Sequence, residues 1–205
     1  MTLAHKQYIF VGALVLLLTL FGASGTAAVE AYAKKIKGVF PEELDNEQID
    51  SILLLASMFN EFGDGDLNKL HYIIATAYHE SKLRSIKEYR CASHQACYAL
   101  QNAYWYTGYM GRGYVQLTWQ ANYQKMEDVF GWPLVSDPDV ALEADKAAAI
   151  TVYGMMEGSF TGKKLNQYIN GSEVDFYNAR RVVNSTNMAT LIAGYAEDIS
   201  NAYNS

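Results

Sequence analysis

Two glutamates, Glu80 and Glu88, are the side chains in this sequence best placed for acid–base chemistry. Glu80 ends an apolar, helix-patterned run that begins at Leu67, which sets it at the negative pole of a helix. That position disfavours the charged carboxylate and is expected to keep a proton on it. A carboxylic acid still protonated near neutral pH is what cleavage of a glycosidic bond needs. A second carboxylate serves as base for a water when the two groups stand roughly 6.5–9.5 Å apart. Spacing in sequence does not set that distance. Were one helix to continue from Glu80 to Glu88, the backbones would lie roughly 12 Å apart along its axis. A chain folding back over Ser81–Tyr89 brings Glu88 across a groove instead. On spacing alone the blander account is favoured: Glu80 paired with Lys82 or Arg84, and Glu88 with Lys87 or Arg90.

Other chemistries fit less well. His79-Glu80 begins a zinc-protease motif, but the second histidine position holds Leu83. Asp64-Gly65-Asp66-Leu67-Asn68 starts like a calcium loop, yet Lys69 stands where glycine is needed and Ala75 where glutamate is needed. A solvated turn and helix cap is the better account. No nucleophile elbow occurs, and Gly158–Lys164 has the wrong spacing for a phosphate loop. Cys91 and Cys97 bracket a short segment. A disulfide is favoured over two free thiols, and a metal site of Cys91, His94 and Cys97 lacks a fourth ligand. No metal or organic cofactor is required.

The elements that must position these groups are mostly helices. Asp45 with Gln48 reads as a cap before a helix carrying Ile49, Ile52, Leu53, Ala56, Phe59 and Phe62. Asp66 caps the helix that reaches Glu80. Residues 85–110 lack a clear period. Tyr104-Trp105-Tyr106 and Tyr114-Val115-Gln116-Leu117 suggest a small β-hairpin. Helices are expected over Asn122–Phe130, over Val140–Met156 (with Asp137-Pro138 at its start), over Val174–Val183 and over Met188–Tyr203. The fold class is therefore mainly α with a minor β element, too poor in strands for a sandwich or a parallel sheet.

The chain has 205 residues and a formal charge of −6, which argues against nucleic acid as a partner. Its 16 tyrosines against 8 phenylalanines suit an open polar groove as well as a core edge. From Tyr8 to Val29 there is no charged residue, long enough for a membrane-spanning helix of roughly 20 residues. The small residues Gly22–Ala28 also resemble a signal-peptidase site, but an uncleaved anchor is favoured. The expected organisation is an anchor over 1–30, a linker or short helix over 31–46, and one domain over 47–205. Lys34, Lys35 and Lys37 after the span would by themselves hold the domain in the cytoplasm. The proposed chemistry needs the far side of the membrane and overrides that.

Three blocks, in order, carry a family resemblance. Tyr78-His79-Glu80-Ser81 resembles the His-Glu-Ser/Thr segment of family-19 chitinases and related phage endolysins. Gly111-Arg112-Gly113-Tyr114-Val115-Gln116-Leu117-Thr118-Trp119-Gln120-Ala121-Asn122-Tyr123 resembles their Gly-Arg-Gly-x-x-Gln-Leu-Ser/Thr…Asn-Tyr block. Ala179-Arg180-Arg181-Val182-Val183-Asn184 resembles their late helix ending in an Ile-Asn-Gly-like turn, with Ser185 replacing the glycine. The endolysin branch fits better, through Glu80–Arg84 and Phe160–Leu165. The resemblance implies a lysozyme-like helical fold split by a groove. It implies Glu80 as general acid, Glu88 near the second carboxylate, and Thr118 holding the attacking water. Gln116, Asn122 and Asn184 would line the groove, and Tyr114 and Trp119 could stack on sugars. Arg112 reads as structural, paired with a buried carboxylate. The implied substrate is peptidoglycan or a chitin-like glycan.

Overall fold

The structure is a computed structural model that describes residues 27–205. Most of the apolar run expected to span a membrane lies outside those residues. Among the described residues no helix is long and apolar enough to cross a bilayer.

The described chain opens with helix α1, over residues 27–36. Val29, Tyr32, Ala33 and Ile36 recur at helical spacing and are buried in the main core. Phe40 and Leu44 follow them inward. Residues 31–46 are therefore part of the packed body rather than a tether. The next helix, α2 (Asn46–Phe62), starts at a capping box: Gln48 N–H donates to Asp45 Oδ1 at 3.1 Å, and Asp45 N–H to Gln48 Oε1 at 3.0 Å.

α3 (Leu67–Ser81) is the central helix. Tyr72, Ile73, Ile74, Ala75, Ala77 and Tyr78 are wholly buried, as expected of a helix enclosed on most sides. It packs chiefly against α8 (Ala189–Asn204), with α2 and α6 (Ala144–Glu157) beside it. The helix stops because Lys82 and Leu83 both take positive φ, 55° and 57°. The chain then turns back into strand β1 (Ile86–Lys87), which pairs antiparallel with β2 (Arg112–Gly113).

The expected hairpin partners differ from these. Tyr104 leads into a 3-10 turn over Trp105–Thr107, and Gln116 sits at φ 55°, which no strand tolerates. Aromatic side chains here serve tertiary contacts: Tyr104 lies edge-on to Trp119 at 5.2 Å. A short helix, α4 (Ala96–Gln101), occupies the stretch without a readable period. The helix expected from Val140 is split into a 3-10 turn over Pro138–Leu142 and α6, because Glu143 is extended between them. That expected over Val174–Val183 is α7 (Phe176–Ala179) running into a 3-10 turn over Arg180–Val182. Strands β3 (Ile169–Asn170) and β4 (Glu173–Val174) form a second small ladder.

α5 (Gln120–Phe130) anchors a smaller apolar cluster of Leu117, Tyr123, Met126, Leu134, Ala141 and Ile150. Phe160 packs against both this cluster and the main core. It also lines the cleft described next.

Candidate active site

A cleft of about 440 Å³ is lined by Glu80, Glu88, Gln116, Thr118, Trp119, Asn122 and Asn184, with Tyr104, Phe160 and neighbouring apolar residues. The end of α3, the residue after β1, the turn after β2, the start of α5 and the segment after α7 thus meet at one place.

Glu80 sits in the last turn of α3, its side chain 19% exposed. Neither expected local partner takes it. Lys82 reaches Glu42 at 3.3 Å, and Arg84 pairs with Asp45 and Glu47. Its partner is Arg180, a buried guanidinium whose Nη1 lies 2.5 Å from Glu80 Oε1. The contact is an ion pair without hydrogen-bond alignment. Arg180 Nε donates to the Asn187 carbonyl at 3.2 Å, which fixes the side chain from behind. The helix-end argument considered the dipole alone; Arg180 adds a buried cation beside the same carboxylate.

Glu88 follows β1 and is held from three directions. Gln101 Nε2 and the Tyr104 hydroxyl both donate to Oε1 at 2.7 Å, and Gly111 N–H donates to Oε2 at 3.1 Å. Its own N–H donates to the Gly111 carbonyl at 2.8 Å. The expected salt bridges to Lys87 or Arg90 are absent. Lys87 lies 3.1 Å from Asp139, and Arg90 turns to Asn102 and the rings of Tyr98 and Trp105. Burial, and then the Glu88 carboxylate, push the Tyr104 phenol well above its ordinary value, so it remains a donor.

The Gly-Arg-Gly block explains itself in contacts. A Cβ on Gly111 would meet Gln116 Oε1 at 2.8 Å and Glu88 Cβ at 3.2 Å, so only glycine lets the two loops close. Arg112 is buried, and its carboxylate partner is the half-exposed Asp139, at 2.7 Å, rather than the buried one expected. Its Nη1 also reaches the Gly108 and Met110 carbonyls and the Tyr123 hydroxyl. The Arg112 guanidinium, and then Lys87, hold the Asp139 carboxyl below the usual range.

The remaining expected groups divide. Thr118 donates to the Gln116 carbonyl at 2.8 Å, and Asn122 Nδ2 to the Thr118 carbonyl at 2.9 Å. Gln116 lines the cleft, but its amide N–H groups bind the Ile86 and Gly113 carbonyls and hold β1 to β2. Asn184 is exposed at the cleft, with Oδ1 accepting from Ser185 N–H at 2.8 Å. Tyr114 does not belong there. It is wholly buried in the turn after β2 and donates to Ser51 Oγ at 2.9 Å, so its side chain belongs to the core. Trp119 is 48% exposed and lines the cleft at φ 74°, a conformation costly for a bulky residue.

Three residues were not anticipated. Arg180 lies inside a quoted block, and a buried arginine among apolar neighbours was the available signal. Gln101 and Tyr104 come from the aperiodic stretch, where nothing marked Gln101, and Tyr104 read only as part of a strand-like run. Cys91 and Cys97 form a disulfide, with Cα atoms 6.0 Å apart, that closes a small ring just before Gln101 and Tyr104. Among the described residues no three His, Cys, Asp or Glu side chains converge to hold a metal ion.

No protein-family model matches the chain, and no curated protein matches it. Among solved structures, a mutant of chitinase C is similar over 88% of this chain and 92% of that one, with a TM-score of 0.50 and 17% sequence identity. At that identity the likeness concerns the fold, and the described chain has a chitinase-like helical fold.

Proposed function

We propose that this chain is a glycoside hydrolase acting on β-1,4-linked amino sugars, with bacterial peptidoglycan as its substrate. The observation that carries the reading is the pair of carboxylates, Glu80 and Glu88, lining one open cleft in unlike surroundings. Glu88 accepts three hydrogen bonds, which orient its carboxylate for the role of base. Glu80 has Oε1 against Arg180, which leaves Oε2 to carry the proton for the departing sugar oxygen. Thr118, beside Gln116 and Asn122, would help hold the water that Glu88 activates. Water attacking from the face opposite the leaving group gives single displacement with inversion. Trp119 offers an aromatic face to a sugar ring.

The apolar run Tyr8–Val29 supports a membrane-anchored protein whose catalytic domain faces the cell wall, as in phage or prophage lysis. A chitin-like glycan is the second reading, favoured by the likeness to a chitinase. Turnover on purified sacculi and on chitin oligomers, read by mass spectrometry of the fragments, separates the two. A reducing MurNAc end marks a muramidase and a reducing GlcNAc end a glucosaminidase. Glu80→Gln is expected to abolish turnover while leaving folding and glycan binding intact. A variant that lyses walls as fast as the parent removes the acid from its role.

A further inference from the structure

We infer that Gln101 and Tyr104 are positioning residues for Glu88: from one loop, just after the Cys91–Cys97 ring, they orient its carboxylate and hold it ready to take a proton from water. The inference rests on the glycosidase reading of the cleft.

The geometry around Gln101 is fully determined. The residue is buried, at the end of α4. Its Nε2 donates to Glu88 Oε1 at 2.7 Å and to the Tyr89 carbonyl at 2.9 Å. Its Oε1 accepts from Cys91 N–H at 2.7 Å. A flipped amide would set its oxygen against a carboxylate and a carbonyl, and its NH₂ against an N–H. Only one orientation therefore satisfies all three contacts. Tyr104 brings a second donor to the same carboxylate oxygen, and its ring is braced edge-on by Trp119.

Two donors on Oε1 and one on Oε2 leave Oε2 as the oxygen with spare capacity, so proton transfer from water is directed to that atom. The segment that delivers the donors follows the small ring closed by the Cys91–Cys97 bond, and Cys91 N–H itself donates to Gln101 Oε1. Across its width the Arg90 guanidinium lies 4.3 Å from the Tyr98 ring, 4.9 Å from Trp105 and 5.5 Å from Tyr106. The charged and titratable groups around this site are Tyr104 and Arg90 on the loop, Lys87 and Arg112 on the paired β1 and β2 with Asp139 against them, Tyr123 on α5, and Glu80 on the cleft wall.

The test uses Tyr104→Phe, which removes a single oxygen, and Gln101→Met, which removes the amide at similar volume. Two quantities are read: the midpoint of Glu88's own titration, by ¹³C NMR of its carboxyl carbon, and the pH profile of kcat. Each variant is expected to raise both the midpoint and the acid limb of kcat by about one pH unit, the scale of a lost charge-assisted hydrogen bond. KM is expected to stay within about twofold, because the change acts through the base rather than through substrate contacts. A fall in kcat with an unmoved Glu88 midpoint and an unmoved acid limb would reduce both residues to loop scaffolding and overturn the inference. If Gln101→Met does not fold, Tyr104→Phe decides alone. A shifted midpoint in a protein that hydrolyses neither glycan supports the positioning and overturns the glycosidase reading instead.

Discussion

Glu80 and Arg180 illustrate how much a single contact changes the meaning of a residue. From sequence, Glu80 is a helix-end carboxylate with nearby lysine and arginine candidates. In the fold those candidates are taken by Glu42, Asp45 and Glu47, and the cation that reaches Glu80 lies a hundred positions on, in primary-structure terms a stranger. Tyr114 shows the opposite case. A tyrosine inside a recognisable block invites a role in substrate stacking, yet its hydroxyl serves Ser51 in the core. Tyr114→Phe is accordingly expected to lower stability by about 1 kcal/mol, the scale of one buried hydrogen bond, with kcat and KM unchanged. Urea unfolding beside steady-state turnover checks this, and a raised KM with unchanged stability would return Tyr114 to the cleft.

At the scale of elements, caps and turns were legible and the connections were not. Asp45 and Asp66 cap α2 and α3 where their side chains say they should, since short polar groups satisfy the first free N–H groups of a helix. Glu80, Glu88, Thr118, Gln116, Asn122 and Asn184 do meet at one cleft. The stretch 85–110 was opaque because its order comes from a disulfide, an arginine among aromatic rings and side chain–carboxylate bonds, none of which has a period. The start of α8 is also unmarked. Met188 caps it at φ 61°, with no side-chain hydrogen bond, and is largely exposed. Asparagine tolerates that backbone far better, so Met188→Asn is expected to raise stability by about 0.5–1 kcal/mol. A rise in Tm with unaltered activity is the expected pair of readings; a loss of stability would mean that the methionine makes contacts that matter more than its backbone.

For the whole molecule, the docking of α1 is the feature that composition conceals. Tyr32 stacks on His71 of α3 with ring centroids 5.9 Å apart, and both lie deep in the main body. Burial holds the His71 imidazole down at about 4, from an ordinary 6.5. The unfolded chain takes up a proton as pH falls through 6.5, and the native one does so only near 4. Stability is thus fully present above 6.5 and declines as pH falls through that window, by about 3 kcal/mol in all. His71→Phe should flatten this part of the pH–stability curve; an unchanged slope would assign it to other groups. Truncation gives a second test. A chain starting at residue 27 keeps α1, whereas one starting at 47 uncovers the apolar surface that Tyr32, Ile36 and Phe40 bury. The shorter chain is expected to unfold at markedly lower urea or to aggregate. Equal midpoints for the two would show α1 to be dispensable.

Mechanical coupling follows from the same arrangement. Tyr32 bears on His71, and Phe40 on Tyr78 with ring centroids 4.5 Å apart, so two aromatic footholds join the amino end to α3. Glu80 lies at the far tip of that helix. Tension entering through α1 would reach the helix that carries Glu80 by way of these two contacts. A pull on α1 would load the cleft wall at Glu80.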